Sequence, residues 1–134
     1  MPEPTLSEEL REQVTTAIRA VRQEIRWKPG KDVEHLQTRK DWGHLPADAT
    51  LDDYHAIIKT VVENDEAQVF LYHYRAGVYP TVVAEIGNAQ WLVMFDMNGI
   101  METAFVIEWP ERYLTKREFE LIGSLAEVLH DERS

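Results

Sequence analysis

The pattern of apolar residues changes once along this chain, near Asn64, and that change limits the folds available to it. Before Asn64, apolar residues recur every three or four positions, which is typical of amphipathic helices. After it come four runs rich in β-branched and aromatic residues, at 67–75, 79–87, 90–96 and 100–109, separated by short turn signals. Helices followed by consecutive strands predict an α+β domain.

Three helices are predicted before the strands. The first covers roughly residues 7–27, and together with its linker it forms an N-terminal segment, 1–31, that we expect to pack on a single α+β domain of residues 32–134. The second runs from residue 32 to about residue 40. The third begins at Thr50, because Thr50 and Asp53 have the spacing of a capping box.

The strands are expected to form an antiparallel meander. Asn98-Gly99 lies between the third and fourth runs, and this pair favours a two-residue type I′ turn. That turn would pair Met94 with Thr103 and Phe95 with Glu102. Alternation then leaves both faces of the sheet largely apolar. We therefore expect helices on one face, and a cleft, a partner surface or the N-terminal helix on the other.

The C-terminal segment is predicted to be one helix. Thr115 and Glu118 have capping-box spacing, and helically spaced apolar residues follow at 119, 122, 125, 126 and 129. The complete prediction is an α+β fold with N-terminal helices, a four-stranded antiparallel β-meander and a C-terminal helix.

Charge and composition restrict the partners. The chain has no cysteine, which excludes disulfides and thiolate metal sites. Residues 1–31 carry six Lys/Arg against five Asp/Glu, whereas the rest of the chain carries eight against nineteen. An acidic body repels phosphate backbones at long range, and nucleic-acid-binding proteins usually have a basic surface. Charge alone therefore argues against nucleic acid.

No membrane, metal or cofactor is expected from the sequence. The chain lacks a signal-peptide pattern at its start and a run of 18 apolar residues later, so we expect a cytoplasmic protein that does not enter a membrane. The five histidines, at 35, 44, 55, 73 and 130, include no tight ligand pair, so no metal site is predicted. The sequence does not indicate an oligomeric state.

Three places concentrate polar side chains that could carry chemistry. His35 and Arg39 lie one helical turn apart in "HLQTR". The strand segment 72–75 reads Tyr-His-Tyr-Arg, and Glu102-Thr103 lies in the last run. RNA cleavage without metal needs a base for the 2′-hydroxyl, a cation or hydroxyl donors for the charge on phosphorus, and an acid for the leaving 5′ oxygen. These residue types can supply all of those roles.

Five segments in this order resemble a nuclease superfamily that includes barnase, EndoU, RelE and the colicin ribonucleases. They are "HLQTR" (35–39), "LDDYHAIIKTVVEN" (51–64), "VFLYHY" (69–74), "WLVMFD" (91–96) and "GIMETAF" (99–105). The resemblance covers about residues 33–107. It implies metal-independent cleavage of RNA, with His35, Arg39 and Thr103 at the positions of the superfamily's helix histidine, arginine and final-strand hydroxyl.

The expected site therefore joins His35, Arg39, Tyr72, Tyr74 and Thr103 in one cleft. If these residues share a cleft, catalysis is favoured; if they are scattered over different surfaces, it is excluded. A local basic pocket in the acidic body would favour RNA as the partner.

The sequence leaves a second interpretation open, a non-catalytic binding module of the immunity or antitoxin kind. An acidic domain with two apolar sheet faces suits a basic protein, either a toxin that it neutralises or a basic peptide added at the sheet edge. In that case His35 is incidental. The active surface would be formed by five acidic residues, Asp48, Asp52, Asp53, Glu63 and Glu66.

Overall fold

Three helices precede the main strands in the computed structural model, which describes residues 7–130. The elements in chain order are α1 Glu8–Gln23, β1 Arg26–Trp27, α2 Lys31–Asp41, α3 Leu51–Val62, β2 Gln68–Tyr74, β3 Gly77–Ile86, β4 Ala89–Phe95, β5 Ile100–Ile107, α4 Pro110–Tyr113, β6 Phe119–Ser124 and α5 Leu125–His130. The predicted boundaries at residues 1 and 134 lie outside the described residues. No helix within 7–130 has the length and apolar character needed to cross a membrane.

The strands form a mixed sheet in the order β1-β5-β4-β3-β2-β6. β2 to β5 are antiparallel neighbours in sequence order. Two strands that the sequence did not predict extend this group: β1 pairs in parallel with the start of β5, and β6 pairs antiparallel with β2. The predicted four-stranded meander is therefore the centre of a larger sheet, and the α+β class is confirmed.

Helices α1 and α3 cover one face of the sheet. The Ser7 side chain accepts a hydrogen bond from the Leu10 amide at the start of α1, and Thr50 and Asp53 form the predicted capping box at the start of α3. The fully buried residues of these helices pack against the sheet to form the main core, and they include Val14, Ile18, Val21, Tyr54, Ile58 and Val61. Helix α1 ends at Gln23 instead of near residue 27, because residues 26–27 form β1.

The opposite face carries a second, smaller core. Six buried side chains form it: Phe70, Val83, Leu92, Met94, Ile107 and Phe119. Tyr113 and Leu114, from the segment after β5, pack against this cluster. Both faces are thus apolar, as the alternation indicated, and the 110–119 segment covers part of the second one.

The turn between β4 and β5 differs from the predicted type I′ turn. Gly99 has a φ of +81°, whereas Arg75 is the only non-glycine residue with positive φ among residues 7–130, so Asn98 lacks the second positive φ that type I′ requires. The Asp96 carboxylate accepts hydrogen bonds from the Asn98 and Ile100 amides. The loop therefore has three residues, 97–99.

The longer loop changes the register of the hairpin. Met94 pairs with Thr103 as predicted, but Phe95 lies opposite Met101 instead of Glu102. This register shift between β4 and β5 places Glu102 beside Met94 and Thr103, at the wall of a cavity on the second face of the sheet.

The predicted C-terminal helix is wrong for most of its length. Residues 119–124 form β6, and only 125–130 are helical. A different capping box starts α5: the Glu127 amide donates to Ser124 Oγ, and the Ser124 amide donates to Glu127 Oε1. Two interactions stabilise β6 as a strand. Its backbone forms hydrogen bonds with the free edge of β2, and Phe119 packs against Phe70 on the second face.

Candidate functional site

Helix α2 lies beside the part of β5 that follows the two residues paired with β1. Residues one turn apart on α2 lie opposite alternate residues of β5. His35 Nδ1 lies 3.4 Å from Thr103 Oγ1, and the Arg39 guanidinium carbon lies 5.6 Å from the centre of the Phe105 ring. Four helical residues rise about 6 Å and two strand residues rise about 6.6 Å. The H-x-x-x-R spacing on the helix therefore matches alternate residues on the strand.

Side chains form hydrogen bonds with the backbone groups along the edge of β5 that faces α2. β1 pairs with only the first two residues of β5. Beyond them, the Tyr54 hydroxyl donates a 2.6 Å hydrogen bond to the Ala104 carbonyl, and the Val106 amide donates to His44 Nδ1 at 3.3 Å. Burial raises the pKa of Tyr54, so its hydroxyl stays a neutral donor. The two bonds close an edge that would otherwise expose unpaired backbone groups.

Arg39 is a buried cation, with 9% of its surface exposed. Its Nη1 lies 3.2 Å from His44 Nδ1, and its buried Nε has no hydrogen-bond partner within residues 7–130. None of the carboxylates described there forms an ion pair with Arg39. Burying a cation without a counter-charge is costly. The guanidinium therefore carries an unneutralised charge at the wall of a cavity that Arg39 lines, which suits an anionic ligand.

His44 holds the Arg39 guanidinium in place. Its Nδ1 faces two donors, Arg39 Nη1 and the Val106 amide, so the lone pair must be on Nδ1 and the proton of the neutral ring on Nε2. Burial lowers the pKa of His44, and the charge of Arg39 lowers it further. His44 therefore acts as a neutral acceptor.

His35 is half-buried between an aromatic ring and the strand hydroxyl. Its ring centre lies 5.2 Å from that of Trp27, which is a residue of β1. Burial lowers the pKa of His35, with a further lowering from Arg39 that Glu34 partly opposes. A neutral imidazole near pH 7 can accept a proton.

Two cavities meet at Thr103, the lining residue they share. The larger has a volume of about 560 Å³ and adjoins α2, the end of β5 and α4. Its aromatic lining comprises Trp42, Phe105, Trp109 and Tyr113. The smaller has a volume of about 320 Å³ and is lined by Tyr72, Tyr74, Tyr79, Met94, Glu102 and Thr103. His35 lines neither cavity, although it lies next to Thr103.

The larger cavity is locally basic in an acidic chain. Its charged lining residues are Arg39, Arg112, Lys116 and Glu108, three cations against one carboxylate. The Lys116 ammonium lies 4.5 Å from the centre of the Tyr113 ring. The whole chain has a net charge of −10, so this concentration of positive charge is local.

The five predicted site residues fall into two groups around Thr103. His35 and Arg39 lie with Thr103 at the α2–β5 contact. Tyr72 and Tyr74 lie in the smaller cavity, with nearly parallel rings whose centres are 6.0 Å apart. His73, between them in sequence, pairs instead with Glu120 at 3.0 Å. The five residues therefore do not share one cleft: Arg39 and Thr103 line the larger cavity, Tyr72, Tyr74 and Thr103 line the smaller one, and His35 lines neither.

The sequence reading missed the segment after β5. Trp109, Arg112, Tyr113 and Lys116 all line the larger cavity. The available signal was Pro110, which occupies the first turn of α4, a position that proline favours. The sequence predicted a helix in this segment only from Thr115 onward, so it predicted neither α4 nor the part of the cavity wall that α4 forms.

Within residues 7–130, no three His, Asp or Glu side chains are grouped closely enough to hold a metal ion. The chain matches no protein-family model, no curated protein and no solved structure.

Proposed function

We propose that this protein cleaves RNA without a metal ion, using side chains at the α2–β5 contact. The observation that carries the proposal is the 3.4 Å approach of His35 Nδ1 to Thr103 Oγ1, next to the buried Arg39 guanidinium. A proton acceptor, a hydroxyl and an unneutralised cation converge there, as in-line attack on a phosphate requires. The resemblance of segments 35–39 and 99–105 to the barnase–EndoU–RelE superfamily supports the same assignment.

Each residue has a defined role in the proposed reaction. His35 removes the 2′-hydroxyl proton, the 2′ oxygen forms a bond to phosphorus, and the bond from phosphorus to the 5′ oxygen breaks, leaving a 2′,3′-cyclic phosphate. Arg39 stabilises the additional negative charge on the phosphoryl oxygens, and Thr103 donates a hydrogen bond to them. Tyr72 or Tyr74 supplies the proton that the leaving 5′ oxygen requires.

The lowered pKa of His35 suits the role of base. A base must be unprotonated before reaction, and burial disfavours the protonated imidazole. The cleavage rate should therefore rise with pH until His35 has lost its proton, and level off above that point.

The first test is single-turnover cleavage of a mixed RNA pool in the presence of a metal chelator. We expect His35→Ala to slow cleavage by about 10²-fold or more, which is the usual contribution of a general base. Arg39→Ala should also slow it, through lost charge stabilisation. His73→Ala is the matched control, because His73 is an exposed histidine that pairs with Glu120 away from Thr103. Equal rates for wild type and His35→Ala, or no cleavage by the wild type, would contradict the proposal.

A second substrate separates the base from the acid. Uridine 3′-(4-nitrophenyl phosphate) has a leaving group that departs without protonation, so it needs a base but no acid. Tyr72→Phe and Tyr74→Phe should leave its cleavage unchanged while the responsible one slows cleavage of RNA. His35→Ala should slow both substrates. If both tyrosine variants cleave RNA at the wild-type rate, the leaving-group role belongs to another residue.

The alternative function, binding of a basic protein, relies on five acidic residues near α3. Asp48, Asp52 and Asp53 lie near its first turn, and Glu63 and Glu66 follow its last. A 12-residue helix is about 18 Å long, so the two groups form separate patches. Asp53 is also engaged in the capping box. Co-purification of a high-pI protein that dissociates as salt rises would favour this function over cleavage.

A further inference from the structure

The two cavities flank the proposed phosphate position in a way that suits a nucleotide chain. Thr103 lines both, so a phosphate held at Thr103 has one cavity on each side. A dinucleotide has the matching arrangement, with one base on each side of its central phosphate.

The larger cavity combines aromatic rings with cations. Trp42 and Trp109 at its rim are 72% and 63% exposed, so these two large aromatic side chains are not part of a packed core. Arg39 and Lys116 each lie against a ring of the lining, over Phe105 and Tyr113 respectively. Aromatic platforms interleaved with cations are the recurring means of binding single-stranded nucleic acid.

The smaller cavity is also lined by aromatic rings. Tyr72, Tyr74 and Tyr79 form much of its wall, and Tyr74 is 46% exposed. The Arg75 guanidinium lies 5.1 Å from the centre of the Tyr74 ring, which places another cation at this side of Thr103. Glu102 adds a carboxylate acceptor, which suits an exocyclic amino group of a base.

We propose that the two cavities are paired base-binding subsites, which hold the nucleotides on either side of the phosphate that lies at Thr103. This inference rests on the proposed cleavage function for the position of the phosphate. The ligand class is single-stranded RNA, because stacking on exposed rings requires bases that are free of a duplex. An acidic peptide would use the cations but would leave two sets of exposed rings without a matching group.

Binding to an uncleavable strand tests the subsites independently of catalysis. The probe is a fluorescein-labelled 2′-O-methyl pentanucleotide, which lacks the nucleophilic hydroxyl, and the measurement is its anisotropy on titration with the full chain. Trp42→Ala and Tyr74→Ala should each weaken binding by roughly five- to a hundredfold, the range for losing one base–ring stack. Val33→Ala is the control for Trp42→Ala, because Val33 is an exposed apolar residue elsewhere on α2. Leu121→Ala is the control for Tyr74→Ala, as an exposed apolar strand residue on β6.

A strand of the same length without bases identifies what is recognised. The abasic probe should bind more weakly than the pentanucleotide, and Trp42→Ala should not weaken it further. The inference is overturned if the wild type does not bind the pentanucleotide, if both aromatic variants bind it as the wild type does, or if the abasic probe or polyglutamate binds equally well. RNA cleavage that fails while these binding differences hold would reject the catalytic proposal and retain the subsites.

Discussion

At the level of single residues, the sequence placed His35 and Arg39 on one helix face, but it predicted neither the burial of Arg39 nor the position of Tyr72 and Tyr74 in a separate cavity. The four-residue interval between His35 and Arg39 put them on one helix face, and the structure brings that face to β5. The burial of Arg39 and its contact with His44 were not predictable, since both depend on where the chain after α2 returns to the strand. The spacing of residues within one helix does not show where the chain after that helix contacts the sheet.

The hydrogen bond from Tyr54 to Ala104 gives a prediction at this scale. Tyr54→Phe should lower the free energy of unfolding by about 1–3 kcal/mol, because it leaves a buried carbonyl without its donor at the edge of β5. Tyr74→Phe is the control, because its ring is 46% exposed and an exposed substitution typically changes stability by about 0.5 kcal/mol or less. Urea denaturation measures both. Equal stabilities of the two variants would mean that water replaces the lost donor.

At the level of elements, the sequence predicted the helices and strands that have strong local signals. The capping box of α3 and the four central strands are examples. It failed after β5, because Thr115 and Glu118 have capping-box spacing, whereas the capping box in the structure is formed by Ser124 and Glu127. The pairing of β6 with β2 decides between them, and that pairing joins segments about fifty residues apart.

The hairpin glycine links β4 and β5 to α1, and this contact gives a prediction for the element. A Cβ on Gly99 would lie 2.8 Å from the Ala20 Cβ, and its φ of +81° is strained for other residues. Gly99→Ala should therefore cost more stability than Gly87→Ala, which shares a positive φ but has no atom within 4 Å of the added Cβ. The expected loss is about 1–2 kcal/mol for Gly87→Ala from backbone strain alone, and more for Gly99→Ala. Thermal and urea unfolding of the two variants measure the difference, and equal losses would show that α1 moves aside without cost.

At the level of the whole molecule, the net charge and the local charge act in opposite directions. The net charge of −10 opposes the approach of RNA, whereas Arg39, Arg112 and Lys116 concentrate positive charge in one cavity. Composition showed the first effect and could not show the second, since Arg39 is more than seventy residues from Arg112 and Lys116 in sequence. Because physiological salt screens the distant acidic residues, the contacts inside the cavity would be the main interaction with the RNA strand that we propose binds there.

The same packing makes the stability of the protein depend on pH. His35, His44 and His55 all have a pKa below the ordinary 6.5, in each case mainly because burial disfavours the charged ring. For His55, the neutral ring also accepts a hydrogen bond from Trp27 Nε1 at 3.0 Å. As pH falls below about 6.5, these side chains take up protons in the unfolded chain before they do so in the folded one, so acid favours unfolding.

We therefore expect the free energy of unfolding to be level from pH 8 to about 7 and to fall between pH 6.5 and 5, above the range in which most carboxylates titrate. Urea denaturation at half-unit steps of pH measures the slope, which reports the number of protons taken up on unfolding. Replacing His55 by Gln should reduce that slope, because one of the three groups no longer titrates, whereas a slope unchanged in the variant would mean that His55 binds its proton equally in both states. A free energy that stayed constant or rose as pH fell to 5 would contradict the burial of these histidines in neutral form.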